Sequence, residues 1–516
     1  MSIKKMVIRG LKKFKKLEIE FNNEYSVLIG ENEIGKSTIL LAIDIVLNQA
    51  NFYNGSSSLI RFLNDEMINE FFENPSLSTL PNIEIELFLE LEKTPNNLNF
   101  CGLHYEGADE PAEGIKFEFK FNEEFKNDID LKNFAENNII PIEYYVSSWK
   151  TFQGRSYFKK MLPFKFIFID NSTNKKDVFG SYAKNIYNNK INVQTQRELS
   201  ANFNQTLSNF KEQNVDSLQI NDFQSIGFES SKVEIEKLLD IYEGNISIKD
   251  MGRGKENLIR TELAINNDIF DLILIDEPEN HLSYTNTRKL IEKIKESTGA
   301  QIIIASHSSL IISRLNLNNT ILIGNKQTYP LTSLSKEANE YFKKIDNLDV
   351  LRFILAEKVI LVEGAAEYII INSVFQKIYG VSLDSKGIDI ISLGSLSHEK
   401  YIELAEVLKN KKVAILKDND KKDNLIFEEK DNFKYFVEED SNIWTLEVAF
   451  YNENTVFFDE MYINKKTKAE YKEEEMPKAQ AHMLKNKTDN ALLIENHIDK
   501  LIIPKKIEEA LEWISE

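Results

Sequence analysis

Cysteine is nearly absent from this 516-residue chain, with Cys101 its single example. An intrachain disulfide is therefore impossible, a four-cysteine zinc site cannot be built, and a reducing interior is the expected environment. Long apolar runs are missing as well. None approaches the roughly 18 residues needed to span a bilayer, and Met6–Ile8 is far too short for a signal-peptide core. The expected location is the cytoplasm, with no membrane contact. Positive charge is in deficit: 63 lysines and arginines face 82 aspartates and glutamates, a formal net charge of -19. That balance argues against nucleic-acid binding through a uniformly basic surface and leaves only local grooves. Clusters at Lys12/Lys13/Lys15/Lys16, Lys411/Lys412, Lys421/Lys422 and Lys485/Lys487 are either such grooves or solvated faces. No internal repeat, long low-complexity tract or long coiled coil is visible.

The rest is an ordinary globular composition, 42% hydrophobic and 28% charged, long enough for about three domain-sized units. Lys5–Phe21 reads as a β-hairpin. Alternating strands follow at Asn82–Leu91 and Gly114–Asn122, with further strands at Ile139–Ser147 and Phe164–Ile169. Asn188–Tyr242 is rich in Gln, Asn and Ser and reads as a mostly helical insertion, either a solvated hairpin or a dimer contact. Polar residues from Ser333 to Asp349 mark a junction. Beyond it a βα rhythm restarts, with strands at Val359–Val362, Ile388–Ser392 and Val413–Leu416 and helices between them, which predicts a second parallel α/β sheet.

Two groups of residues carry chemistry. The first begins at Gly30-Glu31-Asn32-Glu33-Ile34-Gly35-Lys36-Ser37, which fits G-x-x-x-x-G-K-[ST] between a short apolar strand, Tyr25–Ile29, and an apolar-periodic helix from Thr38. Backbone N–H groups of such a loop cradle phosphate at a helix start. Lys36 would reach the β/γ-phosphates, and the Ser37 hydroxyl would bind Mg²⁺. Leu272–Ile275 runs into Asp276-Glu277, where one carboxylate can hold the Mg²⁺ water shell and the next can orient an attacking water. Gly252 and Gly254 open a helix as a further anion-binding turn. His307 follows the strand Ala300–Ala305, within reach of a γ-phosphate.

The second group is acidic. The strand Val359–Val362 ends in Glu363-Gly364, with Glu367 one helical turn further on, and Val413–Leu416 leads to Asp418-Asn419-Asp420. In extended backbone, residues two apart face the same way, so Asp418 and Asp420 are expected to converge. Oxygen-only donors favour Mg²⁺ or Mn²⁺, and a two-metal carboxylate site suits in-line attack on a phosphodiester.

The first group resembles the ATP-binding-cassette heads of SMC-like and OLD-family proteins. Gly30–Ser37 matches Walker A, Asp276-Glu277 matches Walker B with its catalytic acid, and Gly252–Asn257 matches the signature motif. Asn280-His281-Leu282 matches the D-loop and His307 the switch histidine. Gln153 is either the Q-loop glutamine or ordinary loop. The resemblance implies ATP bound by Gly30, Asn32, Gly35, Lys36, Ser37 and Thr38, and sandwiched in a homodimer or higher oligomer. One departure stands out. Met251 occupies the place of the signature serine, so a hydroxyl contact to the partner's γ-phosphate is lost and slow hydrolysis is expected.

The acidic group resembles a TOPRIM domain. Glu447 looks like the additional metal-binding glutamate of OLD-family members, or else a helix-surface acid. Lys487 falls where that family carries a catalytic lysine, or else is solvated. The resemblance to the OLD-family nucleases spans nearly the whole chain, and these include the nuclease subunit of the Gabija anti-phage system. It implies an α/β protein: an ABC-type ATPase head over 1–187 and 243–345, interrupted by the helical insertion 188–242, then a Rossmann-like TOPRIM domain over 346–516. It further implies a metal-dependent double-stranded DNA endonuclease regulated by ATP, in anti-phage defence with a helicase-like partner. The rival reading is an SMC-like DNA-binding repair ATPase with a structural TOPRIM domain, against which the missing long coiled coil counts. A topoisomerase or primase lacks its tyrosine-nucleophile context or zinc-binding cysteines here.

Overall fold

The computed structural model describes residues 1–52, 59–171, 183–184, 186–188, 190–214, 219–221, 224–225, 235–266, 269–297, 299–324, 327–344, 349–394, 398–409, 411–423, 425–463 and 476–516. The chain divides into two compact units, one of 1–315 with 319–328, the other of 316–318 with 329–516.

Two sheets build the first unit. The antiparallel sheet takes its strands from β1 (Ser2–Leu11), β2 (Phe14–Glu20), β4 (Ile83–Glu90), β5 (Cys101–Gly102), β6 (Ala112–Phe121) and β7 (Tyr145–Thr151), after β3 (Tyr25–Ile29) has left for the other sheet. Its order is β2-β1-β4-β6-β5, with β7 also on β6. From Leu17 in β2 and from Ile115 in β6 onward, burial alternates and places one face inward, as period-two patterning requires.

The other sheet is parallel over five of its strands and nearly all apolar, because both of its faces are covered. β8 (Phe166–Asp170) enters it first. Two short strand pairs, β9 (Gln219–Asn221) with β10 (Gln224–Ser225) and β11 (Tyr242–Glu243) with β12 (Ile246–Ser247), precede β13 (Leu272–Asp276), β14 (Gln301–Ala305), β15 (Thr320–Ile323) and β16 (Thr328–Pro330). The order β16-β15-β3-β14-β13-β8 brings the carboxyl ends of β3, β14, β13 and β8 side by side.

Between β8 and β13 the expected helical insertion is only partly helical. One helix runs Val193–Gln213 with the side chain of Asn192 as its N-cap. The two strand pairs and a 3-10 turn at Ile235–Leu238 follow. Residues 189, 215–218, 222–223 and 226–234 of that expectation lie outside the described residues.

The second unit is a four-stranded parallel sheet of β17 (Lys358–Val362), β18 (Ile388–Ser392), β19 (Lys412–Leu416) and β20 (Phe433–Phe436), in the order β18-β17-β19-β20. Its start lies earlier than the polar composition indicates. The helix Lys336–Lys344 belongs here: Phe342 packs its ring 5.2 Å from Tyr401, and the Ser335 hydroxyl donates to Glu403 at 3.0 Å. A polar amphipathic helix with one apolar face reads as linker until its partner is known.

Gln301 ties the two sheets of the first unit together and is 2% exposed. Its side-chain amide donates to the carbonyls of Ile3 and Asn22, each at 2.8 Å, and its oxygen accepts from Ile3 N at 2.7 Å. Gln301→Leu removes all three of these bonds. The expected loss is about 3 kcal/mol or more of unfolding free energy, read from the urea midpoint. A midpoint unchanged from the parent would contradict it.

Candidate functional site

The phosphate-binding loop follows β3, between the neighbouring ends of β14 and β15. It turns through three positive-φ residues, Gly30, Glu33 and Gly35. At Gly35 (φ 117°) a Cβ would lie 2.3 Å from the Phe14 ring, so both the backbone and the space demand glycine. Lys36 starts the helix Lys36–Leu47 and is 5% exposed. Its ammonium donates to the carbonyls of Gly30 and Glu31, both at 2.8 Å, within the loop itself. Burial pulls it down to about 8 against the charges of Glu277 and Asp276. At the far end, Trp149 Nε1 and the Tyr157 hydroxyl donate to the carbonyls of Ile45 and Leu47 at 2.9 and 3.0 Å. They satisfy helix-end carbonyls and fix this helix to β7 and the turn after it.

Ser37 and Asp276, 239 residues apart, are in direct contact: the hydroxyl donates to Asp276 Oδ1 at 3.0 Å. Burial, then the charges of Asp170 and Glu277, push the Asp276 carboxyl up to about 7. Asp170 is level with Asp276 in the parallel register and was not singled out from sequence, although its strand also ends in an acid. Glu277 adopts φ 49°, accepts from the Asn280 side chain, and lies 3.7 Å from His307 Nε2. Burial and the Lys36 charge push the His307 imidazole down.

Glu279 also escaped the sequence reading, because only a folded loop reveals its role. Its buried carboxylate accepts from the Ser306 hydroxyl at 2.8 Å and from His307 N at 2.7 Å. Gly252 caps the helix Arg253–Ile265, and a Cβ on Gly254 would stand 2.1 Å from the His281 carbonyl. Asn257 donates to the Asn280 carbonyl at 3.1 Å, so the signature-like helix is bonded to the loop that holds Glu277. Met251 precedes that helix, with no hydroxyl. Thr38 is buried in the first helical turn, and Asn32 is exposed in the loop. Gln153 is exposed in the turn after β7, and among the described residues no hydrogen bond joins it to Gly30–Ser37.

In the second unit, β17 and β19 are neighbours, so Glu363 and Asp418 leave adjacent strand ends. Asp418 N donates to Glu363 Oε1 at 3.2 Å. Glu367 lies in the first turn of the helix Ala365–Tyr379. The helix Lys487–His497 packs beside it, held partly by Lys377, whose ammonium donates to the carbonyls of Ile498 and Leu501. This packing carries Lys487 into the acidic group. Its ammonium lies 3.1 Å from Glu447 Oε2 and 3.9 Å from Asp418 Oδ2. Glu447, 1% exposed, sits on the helix Leu446–Glu453 behind the Thr445 cap. Apart from Lys487, no hydrogen-bond donor among the described residues reaches its carboxylate.

The electrostatics follow from this crowding. Burial, then Glu363, Glu367 and Glu447, push the Asp418 carboxyl up to about 7. Burial raises Glu363 and Glu367 as well, while the surrounding carboxylates outweigh burial and raise Lys487. The convergence expected of Asp418 and Asp420 is not found. Asp420 starts a turn with φ 51° and lines a different cavity from Asp418. Two cavities open on either side of Glu363. Asp418, Glu367 and Thr445 line one, and Asp420, Lys417 and His398 line the other. His398, also missed from sequence, is pushed down by burial and the Lys417 charge.

The donor set is all carboxylate, which suits a hard divalent cation. Among the described residues no three His, Cys, Asp or Glu side chains converge closely enough to hold a metal ion. As the side chains stand, the Lys487 ammonium is a cation among them, and the Lys417 charge also reaches Glu363. Of the basic clusters, Lys411 is 2% exposed and donates to the carbonyls of Ile354 and Ala356, so it is structural. Lys15 pairs with Glu70 at 2.7 Å and Lys13 with Glu33 at 3.8 Å.

Residues 354–420 match the family model of the Overcoming lysogenization defect protein-like (OLD-like) TOPRIM domain. Residues 1–200 match that of an AAA ATPase domain. The chain joins an AAA ATPase domain to an OLD-like TOPRIM domain. Residues 253–313 also match an AAA domain described as a putative AbiEii toxin of a type IV TA system. Over 176 residues the chain is 30% identical to the Old nuclease of Escherichia phage P2, an alignment covering 31% of this chain and 29% of that protein. The chain thus spans less than a third of the length of the relative it matches. Among solved structures, the SMC head domain from Thermotoga maritima is 14% identical, covering 64% of this chain and 99% of that one at a TM-score of 0.28. The recombination mediator protein RecF-ATPrS is 12% identical, covering 63% and 97% at 0.31. No described helix is long and apolar enough to cross a membrane.

The raised Asp418 carboxyl has a thermodynamic signature. In the unfolded chain it ionises near its ordinary value of 3.8, whereas in the TOPRIM domain it keeps its proton to about pH 7. Between those values the folded state binds more protons, so its stability falls as pH rises. Asp418→Asn is expected to raise the Tm of the metal-free protein at about pH 7.5, by up to about 4 kcal/mol of stability, and to have no such effect near pH 4. Equal gains at both pH values would show that the crowding has no such effect.

Proposed function

We propose that this chain is an ATP-regulated, divalent-metal-dependent DNA endonuclease of the OLD type, acting in anti-phage defence. One observation carries the reading: Glu363, Glu367, Asp418 and Glu447 gather with Lys487 at the carboxyl edge of a parallel sheet in an OLD-like TOPRIM domain. Such an edge is where parallel sheets take their ligands. The aligned relative is named a nuclease, which supports the same assignment.

In this reading Glu363, Glu367, Asp418, Asp420 and Glu447 would hold Mg²⁺ or Mn²⁺. When bound, the ions supply positive charge for the scissile phosphate and lower the pKa of an attacking water. Lys487 presents its ammonium where negative charge develops on the phosphate. Glu363 borders both cavities and is the residue the two carboxylate groups share.

At the ATPase site, backbone N–H groups from Gly30 to Gly35 cradle the phosphates, with Asn32 and Thr38 in the same loop and helix start. Lys36, now bonded to the carbonyls of Gly30 and Glu31, would hold the β/γ-phosphates. Ser37 and Asp276 would hold Mg²⁺, Glu277 would orient water, and His307 would contact the γ-phosphate. Gln153 acts as the Q-loop glutamine. Gly252 and Gly254 serve the ATP of a second copy in a homodimer or higher oligomer. With Met251 in place of a hydroxyl residue, turnover is slow and bound ATP acts mainly as a control signal. Double-stranded DNA is the substrate, a helicase-like protein the further partner, and the cytoplasm the location.

The test is plasmid cleavage with Mg²⁺ or Mn²⁺, with and without ATP. The parent is expected to nick or cut, and Glu363→Ala to lose about 10²-fold or more in rate. Equal cleavage by both, or none by either in any condition, refutes the nuclease assignment. Strong DNA-stimulated ATP turnover without cleavage would favour a DNA-binding ATPase. Separately, Lys36→Ala is expected to weaken ATP binding about tenfold or more by calorimetry, since a charge-assisted phosphate contact is removed. Unchanged affinity would exclude Lys36 from the nucleotide site.

A further inference from the structure

Asn419 lies between Asp418 and Asp420, and its side chain is 0% exposed. Its amide nitrogen donates to three carbonyls of one loop, those of Glu438 (3.0 Å), Asp440 (2.8 Å) and Ile443 (3.3 Å). With two hydrogens for three acceptors, the longest of these is a shared bond. Its amide oxygen accepts from Lys421 N at 3.0 Å.

Each bond has a geometric consequence. The Lys421 bond closes an Asx-type turn around Asp420, and that turn holds Asp420 and Lys421 at φ 51° and 63°. This is the bend that sends Asp420 into the cavity with His398 while Asp418 stays with Glu367. The three carbonyl bonds fasten the loop that runs directly into Thr445, the cap of the helix bearing Glu447. One buried amide therefore sets the spacing of the carboxylates on both sides of Glu363.

We propose that Asn419 is a positioning residue of the nuclease centre: it locks the Asp418–Asp420 turn to the loop carrying Glu447, and so fixes the distance between the two halves of the carboxylate set. Its chemistry suits this task. An apolar side chain would remove all three bonds to the loop, leaving the Asp440 carbonyl only Ile443 N, and an aspartate would set its charge against the carbonyls. The proposal rests on the nuclease reading for what the carboxylates do, but not for how Asn419 holds them.

The test separates the two. Trp444 adjoins Thr445, and the Lys421 ammonium stacks over it at 4.6 Å, so it reports on this loop. The chain has three tryptophans. The full-length protein is labelled with 5-fluorotryptophan, and the Trp444 resonance is assigned through Trp444→Phe. In metal-free protein, Asn419→Ala and Asn419→Asp are expected to shift or broaden that resonance and leave those of Trp149 and Trp513 in place. Mn²⁺ affinity, from the paramagnetic resonance of the free ion, is expected to fall about 10- to 100-fold, the usual cost of losing a residue that orients metal ligands.

A lowered Tm with Mn²⁺ affinity within twofold of the parent means a role in folding alone and overturns the proposal. So does a parent that binds no Mn²⁺. If Asn419→Ala does not fold, Asn419→Asp, which keeps the Lys421 acceptor, decides the matter by the same readings. A parent that binds Mn²⁺ but never cuts DNA removes the nuclease reading and leaves the positioning of the carboxylates to be judged on affinity.

Discussion

Carboxylates crowd the carboxyl edges of both parallel sheets, and burial makes Asp276, Glu363, Glu367 and Asp418 costly to ionise. Asp276 and Asp418 are both carried to about 7 for this reason. In the ATPase unit the acids at the strand ends are Asp170, Asp276 and Glu277, with Lys36 the nearby cation. In the second unit they are Glu363, Glu367, Asp418 and Glu447, with Lys487 among them. Groups this close cannot all carry charge in a low-dielectric setting unless positive charge joins them. The arrangement opposes stability, and that cost is the property that prepares each site for cations.

Buried amides hold these strained groups in place. Gln301 joins the two sheets behind the nucleotide loop. Asn257 and Asn280 tie the signature-like helix to Glu277, and Asn419 spans the two halves of the carboxylate set. A carboxamide both donates and accepts without carrying charge, so it can cross-link loops where another ion would deepen the repulsion. The side chains that look chemically quiet are thus the ones that set the spacing of the reactive ones.

Much of this architecture was legible beforehand. The Gly30–Ser37 pattern, the apolar strand before Asp276-Glu277 and the βα rhythm after residue 350 each carry a local signal, and each recurs in the fold. The strand Ile388–Ser392 has the same limits in both. Less legible was the stretch after Gln213, where Gln, Asn and Ser suit a solvated helix as well as short strand pairs. The junction was also misplaced, because the helix Lys336–Lys344 declares its domain only through Phe342 and Ser335. Asp418-Asn419-Asp420 reads as extended backbone, whereas Asp420 and Lys421 take positive φ in a turn that Lys421 N closes by donating to Asn419 Oδ1.

The sequence by itself determined which chemistry is available: a phosphate-binding loop, a paired acid, and a set of oxygen donors with no thiol or imidazole cluster to rival them. Those facts are local, being fixed by residue type and spacing along a strand or a helix turn. Only the tertiary structure decided which acids stand together, since Ser37 meets Asp276 across 239 residues and Glu447 meets Lys487 from a different helix. It also decided that Asp418 and Asp420 part company, and that Glu279 and Asn419 hold loops instead of facing solvent. Long-range register and side-chain direction depend on packing between distant segments, and no spacing in the sequence records them.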